Sequence, residues 1–323
     1  LSYKQIRKVE IAMEYFSIVS NQILLFVIYA VIGIVCVKTN VLDRRGLLTL
    51  SKLVARVCLS CLIFVNMIKA VRENDVSGYL SVLVVAVFFF ALLYVLGIVI
   101  ANICHLEGEK RNLFRAGTMF SNSAFMGIPI IEAVFGSVGI LMVALYTIVG
   151  DIILWTWGAG LTLPPDREEK RTLGSIVRKI MSPCFVALLL GLLVGFSPLN
   201  LPKDLIGAIS KVGACASPLA MIYIGGILCF VDLKHGLFRK EFILLVIVKM
   251  CILPVLLERL LFNVPFVGRE VAFFIGLMSA LPMMVTVSLI AESNGSDSTY
   301  TAALVILTTA LSVFTLPLVC LFM

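Results

Sequence analysis

The sequence predicts an all-α polytopic membrane protein: ten transmembrane helices in two inverted five-helix repeats, with helices 4 and 9 broken and crossing. Three observations lead there. Of the 323 residues, 61% are hydrophobic and only 14% charged, whereas about a quarter of a soluble domain is charged. Ten apolar runs follow one another, near 18–37, 47–68, 79–103, 113–135, 137–163, 182–197, 204–231, 241–262, 270–291 and 299–322. At about 20 apolar residues per crossing of a hydrocarbon core of about 30 Å, ten crossings use nearly the whole chain. The longest polar stretch between runs, 164–178, divides them five and five. An odd number per half inverts the second half relative to the first.

The expected organisation is an N-terminal extension (1–17), a first repeat (18–163), a loop (164–181) and a second repeat (182–323). The first apolar run does not read as a signal peptide, because Lys4, Arg7 and Lys8 lie far upstream and no small-residue cleavage site follows. Residues 1–12 are polar, and Met13 is an alternative start. In the second run, Cys58-Leu-Ser-Cys61 has a redox or metal spacing. It sits inside an apolar segment without a histidine nearby, so these cysteines read as small packing residues. Lys52 and Lys211, in the first turns of helices 2 and 7, read as snorkelling to the interface. Arg56 lies in the same turns of helix 2.

The net charge is +7. The basic residues sit in short loops between apolar runs, which points to membrane orientation and not to nucleic acid. Loops around 38–45, 110–115, 167–179 and 234–240 hold fourteen Lys and Arg, against five in the opposite set. The bias places the first set in the cytoplasm and both termini outside. The halves also echo each other. Ser60-Cys61-Leu62 corresponds to Ser217-Pro218-Leu219, and Gly136 at the end of helix 4 to Gly295 at the end of helix 9.

Helix 4 reads Phe120-Ser-Asn-Ser-Ala-Phe-Met-Gly-Ile-Pro129. Proline removes a backbone donor and glycine weakens the helix, so a break is expected at Gly127–Pro129. Helix 9 has its own break at Leu281–Pro282, flanked by Ser279 and Thr286. In hydrocarbon, broken helices persist only where protein or a cavity satisfies the freed groups. Matching breaks in two halves indicate a midplane substrate site. The expected site residues are Asn122, Ser123, Gly127, Pro129, Ser279, Pro282 and Thr286.

The string Asn122-Ser-Ala-Phe-Met-Gly-Ile-Pro129 resembles the helix-4 signature of the auxin efflux carrier family, which includes the plant PIN carriers and bacterial members. Lys249-Met-Cys-Ile-Leu-Pro254, the helix-9 proline and Thr308-Thr-Ala-Leu-Ser-Val-Phe-Thr-Leu-Pro317 extend the resemblance, which covers residue 20 to the C-terminus. It implies a fold like that of sodium–proton antiporters and bile-acid transporters, in which helices 1, 2, 6 and 7 are a scaffold and the other six move as an elevator. It implies a secondary transporter for small organic anions, mono- or dicarboxylates or auxin-like acids, with Asn122 facing the substrate carboxylate. The short central loop is similar to that of bacterial members.

Asp151 in helix 5 departs from the family, which usually places Asn or Gln there. A midplane carboxylate is by default functional, as a proton relay or cation ligand. The alternative is a structural ion pair with Lys249, so both stand as coupling candidates. The expected partners are an organic anion, the bilayer of the cell membrane and a second copy in a homodimer. No cofactor, metal or nucleic acid is expected. Intramembrane aspartyl proteolysis needs two aspartates, and Asp151 stands alone at that depth. His105 and His235 fall in predicted loops, without a carboxylate–histidine helix motif. A membrane sensor on a transporter fold is the rival reading, and no ring of charges suggests a channel.

Overall fold

The computed structural model describes residues 3–73, 76–164, 181–230 and 239–323. Among these residues the secondary structure is helical, apart from an isolated antiparallel bridge between Ser121 and Met283. The first half holds α1 (Tyr3–Lys38), α2 (Arg44–Leu53), α3 (Leu59–Glu73), α4 (Ser81–Ile103), α5 (Gly108–Met119) and α6 (Ile128–Thr156). The second half holds α7 (Pro183–Phe196), α8 (Lys203–Ala214), α9 (Ala216–Leu228), α10 (Lys240–Leu245), α11 (Leu253–Phe262), α12 (Arg269–Ala280), α13 (Val285–Asn294) and α14 (Ser298–Cys320). Most of the central 164–178 loop and His235 lie outside the described residues. The expected N-terminal extension is helical from Tyr3 and runs into the first apolar segment without interruption, as its Lys, Gln, Glu and Met residues favour.

Local chemistry explains several boundaries. Asp43 caps α2 by accepting from Gly46 N at 2.6 Å, and Asp297 caps α14 by accepting from Tyr300 N at 3.0 Å. Ser182 caps α7 with Pro183 in its first turn, where a missing N–H is harmless. Gly136 divides α6 into two arms at φ 62°, ψ −141°, a conformation suited to glycine. The chain folds back there: a Cβ on Gly139 would stand 2.5 Å from the Ile131 carbonyl oxygen.

Among the described residues, six helical stretches are long and apolar enough to cross a membrane, including Met13–Lys38, Ser123–Thr156 and Ser298–Cys320. Phe88, Leu193, Leu260 and Phe314 expose two-thirds or more of their surface on the outside of the bundle. Such a rim suits hydrocarbon and not water. The interior is unevenly shared. The apolar windows of Ser123–Thr156 and Ser298–Cys320 are 67% and 61% buried, those of Met13–Lys38 and Lys203–Leu228 only 22%. Around the outer helices, α1 packs on α9, and α3 on α7 and α8. The α1–α9 crossing is close: a Cβ on Gly33 would lie 2.1 Å from the Ile222 oxygen, and one on Gly225 2.0 Å from the Ala30 oxygen. Small residues at such crossings let backbones touch where no hydrophobic effect drives association.

Candidate functional site

Two interruptions meet in the middle of the bundle. The first, Phe120–Asn122, separates α5 from the π-helical turn Ser123–Gly127 that leads into α6. The second, Leu281–Met284, separates α12 from α13. Asn122 N donates to Pro282 O, and Met284 N donates to Phe120 O, each at 2.8 Å. A stretch of backbone outside a helix needs such partners in a low-dielectric interior. Each interruption supplies them for the other.

The first interruption falls before the expected break at Gly127–Pro129, and its local chemistry explains why. The Asn122 side chain accepts from Phe125 N at 3.3 Å, and its carbonyl accepts from Met126 N and Gly127 N. Asparagine thus starts the new helix, and Pro129 sits within its early turns, where a proline is tolerated. Gly127 lets the second interruption approach, since a Cβ there would lie 3.0 Å from Leu281 Cδ1.

The second interruption is tied on two sides. Met283 N donates to Thr308 Oγ1 of α14 at 3.1 Å. Lys249, 1% exposed in the π-helical turn Val246–Ile252, donates through Nζ to Leu281 O at 3.3 Å. That places an ammonium at the C-terminal, negative end of α12. Lys249 and Asp151 form no ion pair; Arg44–Glu292 is the salt bridge found among the described residues, at 2.7 Å. Ser279 is fully buried and donates to Gly276 O at 2.8 Å within its own helix.

The first interruption opens onto a cavity of about 790 Å³. Its walls include Ser121, Asn122, Ser123, Met284, Thr286, Tyr146, Asp151 and Arg56. Three polar atoms on this wall are buried without a hydrogen-bond partner among the described residues: Ser121 Oγ, Asn122 Nδ2 and Tyr146 Oη. Buried polar groups are satisfied as a rule; these three are enclosed within residues that line the cavity, and a small turn of each side chain would bring it to a ligand there. An aromatic layer holds them. Tyr146 stacks on Phe90 with centroids 5.0 Å apart, and Phe90 lies 5.8 Å from Phe120.

Asp151 also lines an adjoining cavity of about 70 Å³, whose wall is mainly aliphatic. Cys184 and Ser182, at the start of α7, face Asp151 across the junction. A further cavity of about 750 Å³ lies between α9, α13 and α14, lined by Tyr223, Ser288 and Thr309. The Arg44–Glu292 pair stands at its rim.

Of the residues expected from sequence, the structure brings Asn122, Ser123, Thr286 and Asp151 to one cavity. Gly127, Pro129, Ser279, Pro282 and Lys249 stand behind it and build the crossing. Sequence reasoning missed Ser121, Tyr146 and Arg56. A helical-wheel reading could have found the tyrosine, because Tyr146, Thr147, Gly150, Asp151 and Leu154 form one stripe of α6.

A polytopic helical protein with a cavity at the crossing of two interrupted helices has the architecture of a membrane transporter. The chain matches the membrane transport protein family over residues 17–320 and belongs to it, the auxin efflux carrier family. A relative described as an uncharacterized transporter, from Methanothermobacter thermautotrophicus, is 24% identical over 307 residues, spanning 93% of this chain and 96% of the relative.

Proposed function

We propose that the chain crosses the cell membrane ten times, as two inverted five-helix repeats, and carries small organic carboxylates by secondary active transport of the elevator kind. The observation that carries the substrate class is the set of orphaned donors, Ser121 Oγ, Asn122 Nδ2 and Tyr146 Oη, around one cavity at the crossing. Donors without acceptors suit a carboxylate, and a side-chain amide binds one without the desolvation cost of a buried cation. Arg56, in the π-helical turn Val54–Cys58, adds a positive charge to the opposite wall.

The packing supports the repeat. In this reading α1, α2–α3, α4, α5 with the first arm of α6, and the second arm of α6 correspond to α7, α8–α9, α10–α11, α12–α13 and α14. The contact of α3 with α7 is then the mate of α9 with α1, and that of α4 with α5 the mate of α11 with α12. The outer set, α1, α2–α3, α7 and α8–α9, is the scaffold; the crossing helices and their neighbours move against it.

One pair breaks the symmetry. Helix α1 packs on α14, whereas its mate pair, α7 and the second arm of α6, borders the small cavity. An alternating-access carrier caught on one side has this inequality. The open side is that of Arg44 and Ser182, cytoplasmic by the charge count, which places both termini outside.

Asp151 joins no ion pair among the described residues. Moving an unpaired carboxylate through hydrocarbon is costly, so a cation, either a coupling ion or a charged group of the substrate, travels on Asp151. Lys249 holds Leu281 behind the site. Uptake of a panel of labelled mono- and dicarboxylates into right-side-out vesicles tests the function. Saturable uptake of at least one is expected; uptake of none, with the protein present in the membrane, overturns it.

A further inference from the structure

We infer that the carboxylate taken by this site is a zwitterion: an α-amino acid with an aliphatic side chain, its ammonium group bound by Asp151 at the junction of the two cavities. The inference rests on the carboxylate site proposed above and adds what the rest of the substrate must be.

The charge on the walls is the first ground. Among the residues lining the larger cavity, the ionisable groups of opposite sign are one arginine, Arg56, and one aspartate, Asp151. A site built for a simple anion would carry a positive excess, because an unpaired carboxylate on its wall repels the ligand. Counted over the described residues, this wall is balanced, and a ligand with one charge of each sign matches it.

The second ground is the division of polar groups. Asn122 Nδ2 only donates and so asks for an acceptor on the ligand, and the Tyr146 hydroxyl can donate to the same acceptor. Asp151, when ionised, only accepts. One wall therefore asks for a carboxylate and another for an N–H donor. A bare mono- or dicarboxylate satisfies the first and leaves the second facing like charge.

The small cavity is the third ground. It is closed in by Ile63, Ile140, Val143, Ile148 and Leu188, and meets the larger one at Asp151, Thr147 and Ser182. An ammonium held at that junction directs the substituent on the same carbon into the aliphatic space. Burial of a few methylene groups there contributes about 0.8 kcal/mol each. A polar side chain in the same place would lose its hydration without finding partners.

The purified full chain in detergent, titrated calorimetrically with leucine and with 4-methylpentanoate, tests the inference. The two ligands share a carbon skeleton and a carboxylate and differ by the amino group. The wild type is expected to bind leucine at least about tenfold more tightly, as befits a lost hydrogen bond between charged groups. In Asp151→Asn the order is expected to reverse, and in Asp151→Glu to survive. Equal binding of both ligands by the wild type, or a leucine preference that persists in Asp151→Asn, overturns the inference and leaves the carboxylate site standing. Binding of neither overturns the inference, and the carboxylate site is then judged by the uptake panel. If Asp151→Asn does not purify, the wild-type preference decides alone.

Discussion

The two interruptions at the centre of the bundle have the same outline and opposite surroundings. Around Leu281–Met284 the freed groups are bound by protein: Lys249 reaches Leu281 O, Thr308 accepts from Met283 N, and Asn122 donates to Pro282 O. Around Phe120–Asn122 the backbone is matched by the other interruption, but Ser121 Oγ and Asn122 Nδ2 have no partner among the described residues, and both residues line a cavity. The difference teaches that the second interruption is secured by protein on most sides, with only Met284 reaching the cavity, whereas the first gives the cavity Phe120, Ser121 and Asn122. A crossing can hold an unsatisfied face toward a ligand because its opposite face is secured.

This comparison breaks most sharply at Lys249. Lys249→Glu would set a buried carboxylate against the Leu281 carbonyl, at a cost of about 3–5 kcal/mol, as for an uncompensated buried charge. The folded protein should be lost from detergent extracts in size-exclusion chromatography. A monodisperse peak of wild-type height would show that Lys249 does not secure the second interruption. Thr308→Val keeps the shape and deletes the acceptor for Met283 N, so thermal unfolding should report a loss of about 1–3 kcal/mol with ligand affinity little changed. A changed affinity with unchanged stability would make Thr308 a site residue and dissolve the distinction.

Tyr146→Phe works on the other side. Its hydroxyl has no protein partner to lose, so stability should hold within about 0.5 kcal/mol while carboxylate affinity falls by about 1 kcal/mol. A clear drop in stability with affinity intact would mean that the hydroxyl is structural. The smallest effect is expected at the exposed pair, where Glu292→Gln should change stability by less than about 1 kcal/mol in a thermal melt. A larger loss would mean that the Arg44–Glu292 contact secures the crossing from its end.

Much of this was legible in the sequence. The apolar runs marked the helices, and Gly136 marked the fold-back in α6, because only a few residue types tolerate its conformation. The proline of Leu281–Pro282 marked the second interruption correctly. The first was displaced, since Pro129 fits an early helical turn and the break belongs instead to Asn122, whose side chain caps the next helix. A proline is visible in sequence; whether its missing N–H falls at a helix start or in its middle depends on the residues before it. Ser279 pointed to the site by proximity, yet its hydroxyl is spent on Gly276 O. Arg56 has no role legible in the sequence, because the π-helical turn that brings it to the cavity has no sequence signature. For Lys249 the sequence offers an ion pair with Asp151 only as an alternative; the negative end of α12 is a partner made by backbone, which no side-chain inventory contains.

Asn122 is the centre of the account, and Asn122→Asp tests it with one group changed. The aspartate keeps an oxygen for Phe125 N at the start of a helix, where negative charge is favourable. It removes the Nδ2 donor and presents like charge to a carboxylate. Initial rates of labelled carboxylate uptake into proteoliposomes, compared at equal incorporation, should fall by about a hundredfold, while the melting curve of the purified protein stays close to that of the wild type. Uptake within about twofold of wild type would contradict the placement of the substrate carboxylate at the first interruption.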